Sequence, residues 1–265
     1  MEQVMKPQLT RALRRLHLPV FVAQHSAQAT LAANEGWTFD RYLLALSELE
    51  LQQRETRRIQ KLLISSRLPR EKTLATFECS RLKRSVERQF AALLAGDFLA
   101  RTENVLVFGN PGSGKTHLLC ALGHELVKQG HAVYFVPCVL LIQRLLLAKA
   151  ELCLEKELKR LDRFAALIVD DLGYVQQSRE EMEVLFTLLA HRYERRSVLL
   201  TSNLVFSEWE RIFKDPMTTA AAVDRLVHHS AILEMNLPSY RMESAKQRQP
   251  KPSVQTDAND NTATL

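Results

Sequence analysis

The sequence is poor in the features that would make it a disulfide scaffold, a metal module or a membrane protein. Four cysteines occur in 265 residues, Cys79, Cys120, Cys138 and Cys153, with no C-x-x-C pair and no histidines at zinc spacing. They read as reduced thiols of a reducing compartment, not as bridges or zinc ligands. Long apolar runs are missing too. The most hydrophobic stretch, AVYFVPCVLLIQRLLLA from Ala132, is broken by Pro137 and by Gln143-Arg144, which suits a strand followed by a helix better than a membrane span. The first residues, MEQVMKPQLTRALRRL, lack a continuous apolar core and a small-residue cleavage site, so no signal peptide is predicted and the expected location is cytoplasmic. Aromatic residues are scarce at 7%, while 46% hydrophobic and 25% charged residues are enough for one large domain and a smaller one.

Glycine is also sparse, but three of the eight glycines crowd into one segment, FGNPGSGKTH at 108–117. Gly109 to Thr116 fit G-x-x-x-x-G-K-[ST], with the apolar run 105–108 before them and the helix-forming HLLCALGHELVKQ after. Gly109, Gly112 and Gly114 let the backbone curl so that successive N–H groups converge on anionic oxygens, and the following helix adds its positive end. Gly109, Asn110, Pro111, Gly112, Ser113, Gly114, Lys115, Thr116 and His117 therefore form the expected nucleotide-binding set. Lys115 is placed to reach the β- and γ-phosphates, and Thr116 to give its hydroxyl to Mg²⁺. Two motifs are absent: N-K-x-D, which would select guanine, and L-S-G-G-Q of transporter ATPases. ATP is the better-fitting nucleotide.

Beyond this loop the chain alternates. Strands are predicted at NVLVFG (104), AVYFVP (132), ALIVD (166), SVLLTS (197) and AILEMN (231), with helical stretches between, which predicts a parallel α/β sheet. The third strand runs into Asp170-Asp171, placing two carboxylates at the sheet edge where ligands bind. Asp170 fits the carboxylate that supports Mg²⁺ through its water shell, and Asp171 the group that polarises the attacking water; a plain turn or helix cap uses the same residues. The fourth strand ends in Thr201-Ser202-Asn203, and an amide at Asn203 can bond both γ-phosphate and lytic water. Further on, AAAVDRLVHH carries Arg225, readable as an arginine finger for a neighbouring subunit or as half of a surface pair with Asp224. His228 and His229 have no ligand partners at useful sequence spacing and read as structural.

Before residue 70 the chain reads as helical: about Gln8 to Leu16, then across HSAQATLAANEG to Gly36, then a long helix from Thr38 or Asp40. The net charge of +6 is concentrated here, with 16 Lys+Arg against 10 Asp+Glu in residues 1–100 and 20 against 20 in the remainder. Arg54, Arg57, Arg58 and Lys61 share one helical face, and Arg81, Lys83, Arg84 and Arg88 form a second cluster. Two such patches without base-reading residues predict sequence-independent binding to a phosphate backbone. The expected division is 1–70 as a helical DNA-binding and assembly domain, 71–246 as the ATPase domain and 247–265 as a disordered tail.

GNPGSGKTH, LIVDDLGYV, LLTSN, AAAVDRLVHH and LPSYRM, in this order, together with the helical RALRRLHLPV…WTFDRYLLALSELELQQRETRRIQKLLISSRLP, resemble the IstB-like, DnaC-related AAA+ ATPases. That resemblance implies a P-loop ATPase with a five-stranded parallel sheet behind a small helical domain. It implies an ATP- and Mg²⁺-dependent helper of insertion-sequence transposition that self-assembles on double-stranded DNA and serves a partner transposase, with no role at membranes. It makes Arg225 the arginine finger and Arg241, in Ser239-Tyr240-Arg241, a second nucleotide sensor. Members of this group often carry Asp-Glu where this chain has Asp170-Asp171. The shorter carboxylate implies slow hydrolysis with nucleotide-gated assembly retained, and stimulation of that hydrolysis by DNA is expected of such a helper. A replicative helicase loader of DnaC type, a small-molecule kinase and a non-hydrolysing adaptor are the rival readings.

Overall fold

A computed structural model of the chain describes residues 2–173, 178–204, 208–209 and 216–240. The helical part comprises α1 (Glu2–Arg15), α2 (Pro19–Asn34) and α3 (Phe39–Ser66). Thr38 starts α3, its hydroxyl accepting the Arg41 N–H, and Arg67 ends it in a left-handed conformation. The 28 residues between make a rod of about 42 Å at 1.5 Å per residue. α2 lies against the first half of this rod. Buried Glu50 on α3 accepts the Val20 N–H at 2.9 Å, and so satisfies a free donor in the first turn of α2. Arg54 completes the joint through Glu50 at 3.0 Å and the His17 carbonyl at 2.8 Å.

The second half of α3 leaves the hairpin and joins the α/β part. Ile59 and Leu62 pack on its core, and Leu68, just past the helix, is buried within it. After two short 3₁₀ turns, Leu74–Thr76 and Cys79–Arg81, comes α4 (Arg84–Leu94). The chain then alternates through β1 (Asn104–Gly109), α5 (Lys115–Lys128), β2 (Val133–Pro137), α6 (Cys138–Ala150), α7 (Leu154–Leu161), β3 (Ala166–Leu172), α8 (Arg179–Arg192), β4 (Ser197–Ser202), α9 (Pro216–Val227) and β5 (Ser230–Met235). All five expected strands are present.

They form one parallel sheet in the order β2-β3-β4-β1-β5. Burial on both faces explains why these strands are near-continuous apolar runs. Alternation divides the core in two: Leu106 and Phe108 of β1 face α6 to α9, whereas Val105 and Val107 face α4, α5 and the end of α3. Because every strand runs the same way, the segments after β1, β3 and β4 emerge along one edge. The phosphate loop, Asp170-Asp171 and Asn203 meet there. The residues expected to form a disordered tail, 247–265, lie outside the described residues.

Candidate nucleotide site

The loop between β1 and α5 has the backbone that its glycines permit. Gly109, Gly112 and Gly114 all have positive φ, at 149°, 78° and 98°. At two of them space is as demanding as conformation. A Cβ on Gly109 would stand 2.1 Å from the Met235 carbonyl oxygen, and one on Gly112 would stand 2.2 Å from Ser239 Oγ. The loop is thus closed against the segment after β5, and the Tyr240 N–H donates to Gly112 O at 3.0 Å. Ser113 Oγ is buried in this cradle with no hydrogen-bond partner among the described residues. A buried hydroxyl left without a partner in this loop fits an anion held there.

Lys115 opens α5 and is buried, its Nζ donating to Gly109 O at 2.8 Å, Asn110 O at 2.9 Å and Asn203 Oδ1 at 2.6 Å. The ammonium is therefore held within the loop it serves. Asn203, 88 residues later in the chain, is fixed to it by the β1–β4 pairing.

The carboxylate pair depends on an irregularity in β3. Val169 pairs with Leu200 but Leu172 pairs with Ser202, so β3 carries one extra residue at Asp170-Asp171. Asp171 takes φ of 61° there, is exposed and lines the site cavity. Asp170 stays buried. Thr201 joins the two, donating its hydroxyl to Asp170 Oδ1 at 2.7 Å while accepting the Asp171 N–H at 2.8 Å. Burial raises the Asp170 pKa above its ordinary value, opposed by the Thr201 hydroxyl; the Asp171 charge pushes the same way as burial, and a hydrogen bond from Thr116 opposes it. A carboxylate that is costly to charge, bonded to the P-loop threonine, suits a cation as neighbour. The Thr116 hydroxyl and the Asp170 carboxylate are hard oxygen donors of the kind that fit Mg²⁺.

The cavity over the loop has a volume of about 340 Å³. One wall comes from the linker before α4, where Lys72, Thr76, Phe77, Glu78 and Arg81 line it, and Leu237 and Tyr240 line the other side. Phe77 meets the His117 ring edge-on at 5.2 Å and lies 6.1 Å from Phe90. His117 Nε2 is 3.1 Å from the Thr73 carbonyl and 3.2 Å from Thr76 Oγ1, so the first turn of α5 is tied to the linker. Burial lowers the His117 pKa, partly offset by the Thr73 carbonyl. Phe77, Leu237 and Tyr240 supply ring and apolar surface in otherwise polar walls above Lys115, which matches a flat base joined to phosphates.

The structure brings Lys115, Thr116, His117, Asp170, Asp171 and Asn203 together. It also brings in Thr201, Phe77 and Lys72, which sequence reasoning missed. Thr201 was visible only as a strand-end hydroxyl, and Phe77 and Lys72 sit in a linker with no motif. Arg81, expected at DNA, lines this cavity, donates to Pro238 O at 3.2 Å and lies 5.1 Å over the Tyr240 ring. Arg225 is elsewhere. It bonds Ala221 O at 3.0 Å and lies 4.9 Å over Phe186 of α8. The adjacent Leu226 carbonyl accepts from the Asn104 side chain at the start of β1, the end away from the phosphate loop. At about 3.3 Å per residue the strand separates these ends by roughly 16 Å. Arg241 lies outside the described residues.

Of the other cations, Arg54, Arg57, Arg58 and Lys61 line one groove along α3 with Leu62 and Ser65. Arg58 is committed in part, to Glu55 at 3.4 Å and to Gly130 O at 3.1 Å beyond the end of α5. Lys83, Arg84 and Arg88 are exposed at and along α4, whose opposite side buries Val86, Phe90 and Leu93.

The profile of the family described as IstB-like ATP binding protein matches residues 11–248. The chain belongs to that family. It is 45% identical over 234 residues, 88% of this chain and 78% of the relative, to a protein of Sinorhizobium fredii named as an insertion sequence ATP-binding protein. A second relative, named as the ATP-binding protein of insertion sequence IS5376 from Geobacillus stearothermophilus, is 36% identical over 247 residues, 93% of this chain and 98% of its own length. Among solved structures, the DnaC helicase loader superposes with a TM-score of 0.51 at 22% identity, covering 63% of this chain and 98% of that one. The last likeness concerns the AAA+ fold alone. No helix among the described residues is long and apolar enough to cross a membrane.

Proposed function

We propose that this IstB-family chain is an ATP-dependent helper of insertion-sequence transposition, which assembles on duplex DNA through nucleotide shared between subunits and assists a partner transposase. The observation that carries the reading is the separation of Arg225 from the phosphate loop of its own subunit. The site holds a lysine, two carboxylates and an amide, but no arginine reaches it from α9, so a neighbour's Arg225 would complete it. ATP then becomes the bond between subunits, and the names of the relatives supply the setting.

In the reaction, water attacks the γ-phosphorus, the bond to the β–γ bridging oxygen breaks, and ADP and phosphate leave. Lys115 stabilises charge on the β- and γ-oxygens, and Asn203 orients water and γ-phosphate together. Asp171, exposed at the cavity rim, accepts the water proton. Mg²⁺, held by Thr116 and supported by Asp170, would neutralise the phosphate oxygens when bound. Phe77, Leu237 and Tyr240 would hold the base. A helical part, about residues 1–70, would present Arg54, Arg57, Arg58 and Lys61 to DNA, with Lys83, Arg84 and Arg88 nearby. Duplex is favoured over single strands because Phe77, the aromatic of the basic stretch, packs inside the site against His117 and Phe90 and is not available to stack bases.

Fluorescent duplex and single-stranded DNA, each with ATP, ADP or no nucleotide, test this by anisotropy and particle size. ATP-dependent assembly preferring duplex is expected. Preference for single strands would favour a helicase loader, and monomeric turnover without DNA binding would sink the proposal.

A further inference from the structure

His228 and His229 lack ligand partners in the sequence, but the fold supplies one. The turn after α8 brings Glu194 to them across 34 residues, so that one ligand atom from each of the three lies within 4.8 Å of the others. We infer that Glu194, His228 and His229 form a site for a divalent transition-metal ion of the zinc class, stapling the turn before β4 to the turn before β5.

The backbone around these residues is set before any ion binds. Asn104, buried at the start of β1 between the two turns, donates its N–H to His229 O at 2.7 Å and its amide to Leu226 O at 3.1 Å. Its Oδ1 accepts the Val198 N–H at 2.9 Å, just beyond the other turn. One side chain therefore spaces both segments. Glu194 holds a left-handed conformation with φ of 56°, which its short connection from α8 to β4 imposes. Tyr193 Oη is 3.2 Å from His228 Nδ1, leaving Nε2 of that ring for a metal, and a ligating imidazole commonly uses its second nitrogen in this way. The His228 and His229 rings lie edge to face at 4.2 Å.

Two imidazoles and one carboxylate select zinc, cobalt, nickel or copper over magnesium and calcium, which prefer all-oxygen shells. All three side chains are exposed, so small rotations bring them to bonding distance and water completes the shell. Asp224, one turn before His228, adds negative potential and Arg225 opposes it, whereas Glu103 is already paired with Arg101 at 2.7 Å. The site is distinct from the phosphate cavity, standing at the opposite edge of the sheet. Arg225 precedes His228 by three residues and His229 by four, about one helical turn. Metal binding would fix the end of α9 and with it that guanidinium, a consequence that rests on the shared-site reading above.

The test is titration of untagged, chelator-treated, nucleotide-free full-length protein with Zn²⁺ by calorimetry and with Co²⁺ by absorption, in wild type and in Glu194→Gln, His228→Ala and His229→Ala. One ion per chain is expected, with a Co²⁺ spectrum free of thiolate charge transfer, a rise in Tm with Zn²⁺, and more than about tenfold weaker binding in each variant. Unchanged metal-free Tm values would show that the variants fold. Wild-type binding no tighter than that of the variants, or a thiolate band assigning the ion to cysteine, would overturn the site. These readouts need neither ATP nor DNA. Failure of Zn²⁺ to alter ATP-dependent assembly despite tight binding would count against the Arg225 consequence alone.

Discussion

Thr201 Oγ1 stands between the two carboxylate residues of the site, donating to Asp170 at 2.7 Å and accepting the Asp171 N–H at 2.8 Å. A single hydroxyl on β4 thus sets the irregular end of β3. Thr201→Val keeps the shape and removes both bonds, which leaves the buried carboxylate with one donor fewer and a backbone N–H without its acceptor. A loss of about 1–3 kcal/mol is expected, read by denaturant unfolding, with ATP turnover reduced at least about tenfold. Thr201→Ser should retain most of both properties. Equal behaviour of the Val and Ser variants would refute the bridging role.

Asp170 gives a prediction with a definite sign. Its folded pKa is raised, above all by burial, so the folded state binds the proton more tightly than the unfolded one. Stability conferred by the protonated form is present below the unfolded value of 3.8 and falls as pH rises through the folded pKa. At neutral pH the metal-free protein therefore carries a destabilising charge. Asp170→Asn should raise the Tm of nucleotide-free protein at pH 7.5, at about 2–4 °C per kcal/mol removed, and should abolish the extra stabilisation by ATP with Mg²⁺ over ATP alone. A lower nucleotide-free Tm in Asp170→Asn would show that the carboxylate is satisfied within the protein.

How far all this was legible from the residues varies with its physical origin. Five strands, their parallel order of appearance and the phosphate loop follow from local patterns: apolar runs, glycines at fixed offsets, and a helix after them. The meeting of Lys115 with Asn203 follows from strand adjacency, which the alternating pattern implies. The linker wall did not follow. Lys72, Phe77 and Arg81 sit in a segment without periodicity, and only tertiary packing decides that Arg81 turns to Tyr240. Arg54 shows the same limit, since a helical face reveals which cations are neighbours but not that one is tied to buried Glu50 and the His17 carbonyl. Glu194 and the two histidines are joined by a topology that spacing alone cannot express.

The shared-site reading makes a complementation test available. Lys115→Ala disables the loop of one subunit and Arg225→Ala disables what that subunit offers its neighbour. Each variant alone should lose about 10³-fold or more in turnover, and an equimolar mixture should recover measurable activity at interfaces that pair an intact loop with an intact arginine. Steady-state phosphate release across mixing ratios measures this. Arg225 acting only within its own subunit predicts no recovery at any ratio, since every chain would then lack one part.

The basic groove on α3 separates cations that face a ligand from cations that hold the protein together. Arg57 and Lys61 line it without an internal hydrogen bond or ion pair among the described residues, whereas Arg54 pairs with a carboxylate that is almost wholly buried. Replacing Arg57 and Lys61 by alanine should leave Tm unchanged. If both meet phosphates, the slope of log K against log salt for duplex DNA should fall by about 1.8, since each released counterion contributes about 0.9, and the loss should be the same for unrelated sequences. Arg54→Ala should weaken binding and also lower Tm, because Glu50 keeps its charge and loses its guanidinium partner. An unchanged salt slope in the Arg57 and Lys61 double variant would place the DNA on another surface and leave the groove as a solvated face of the helix.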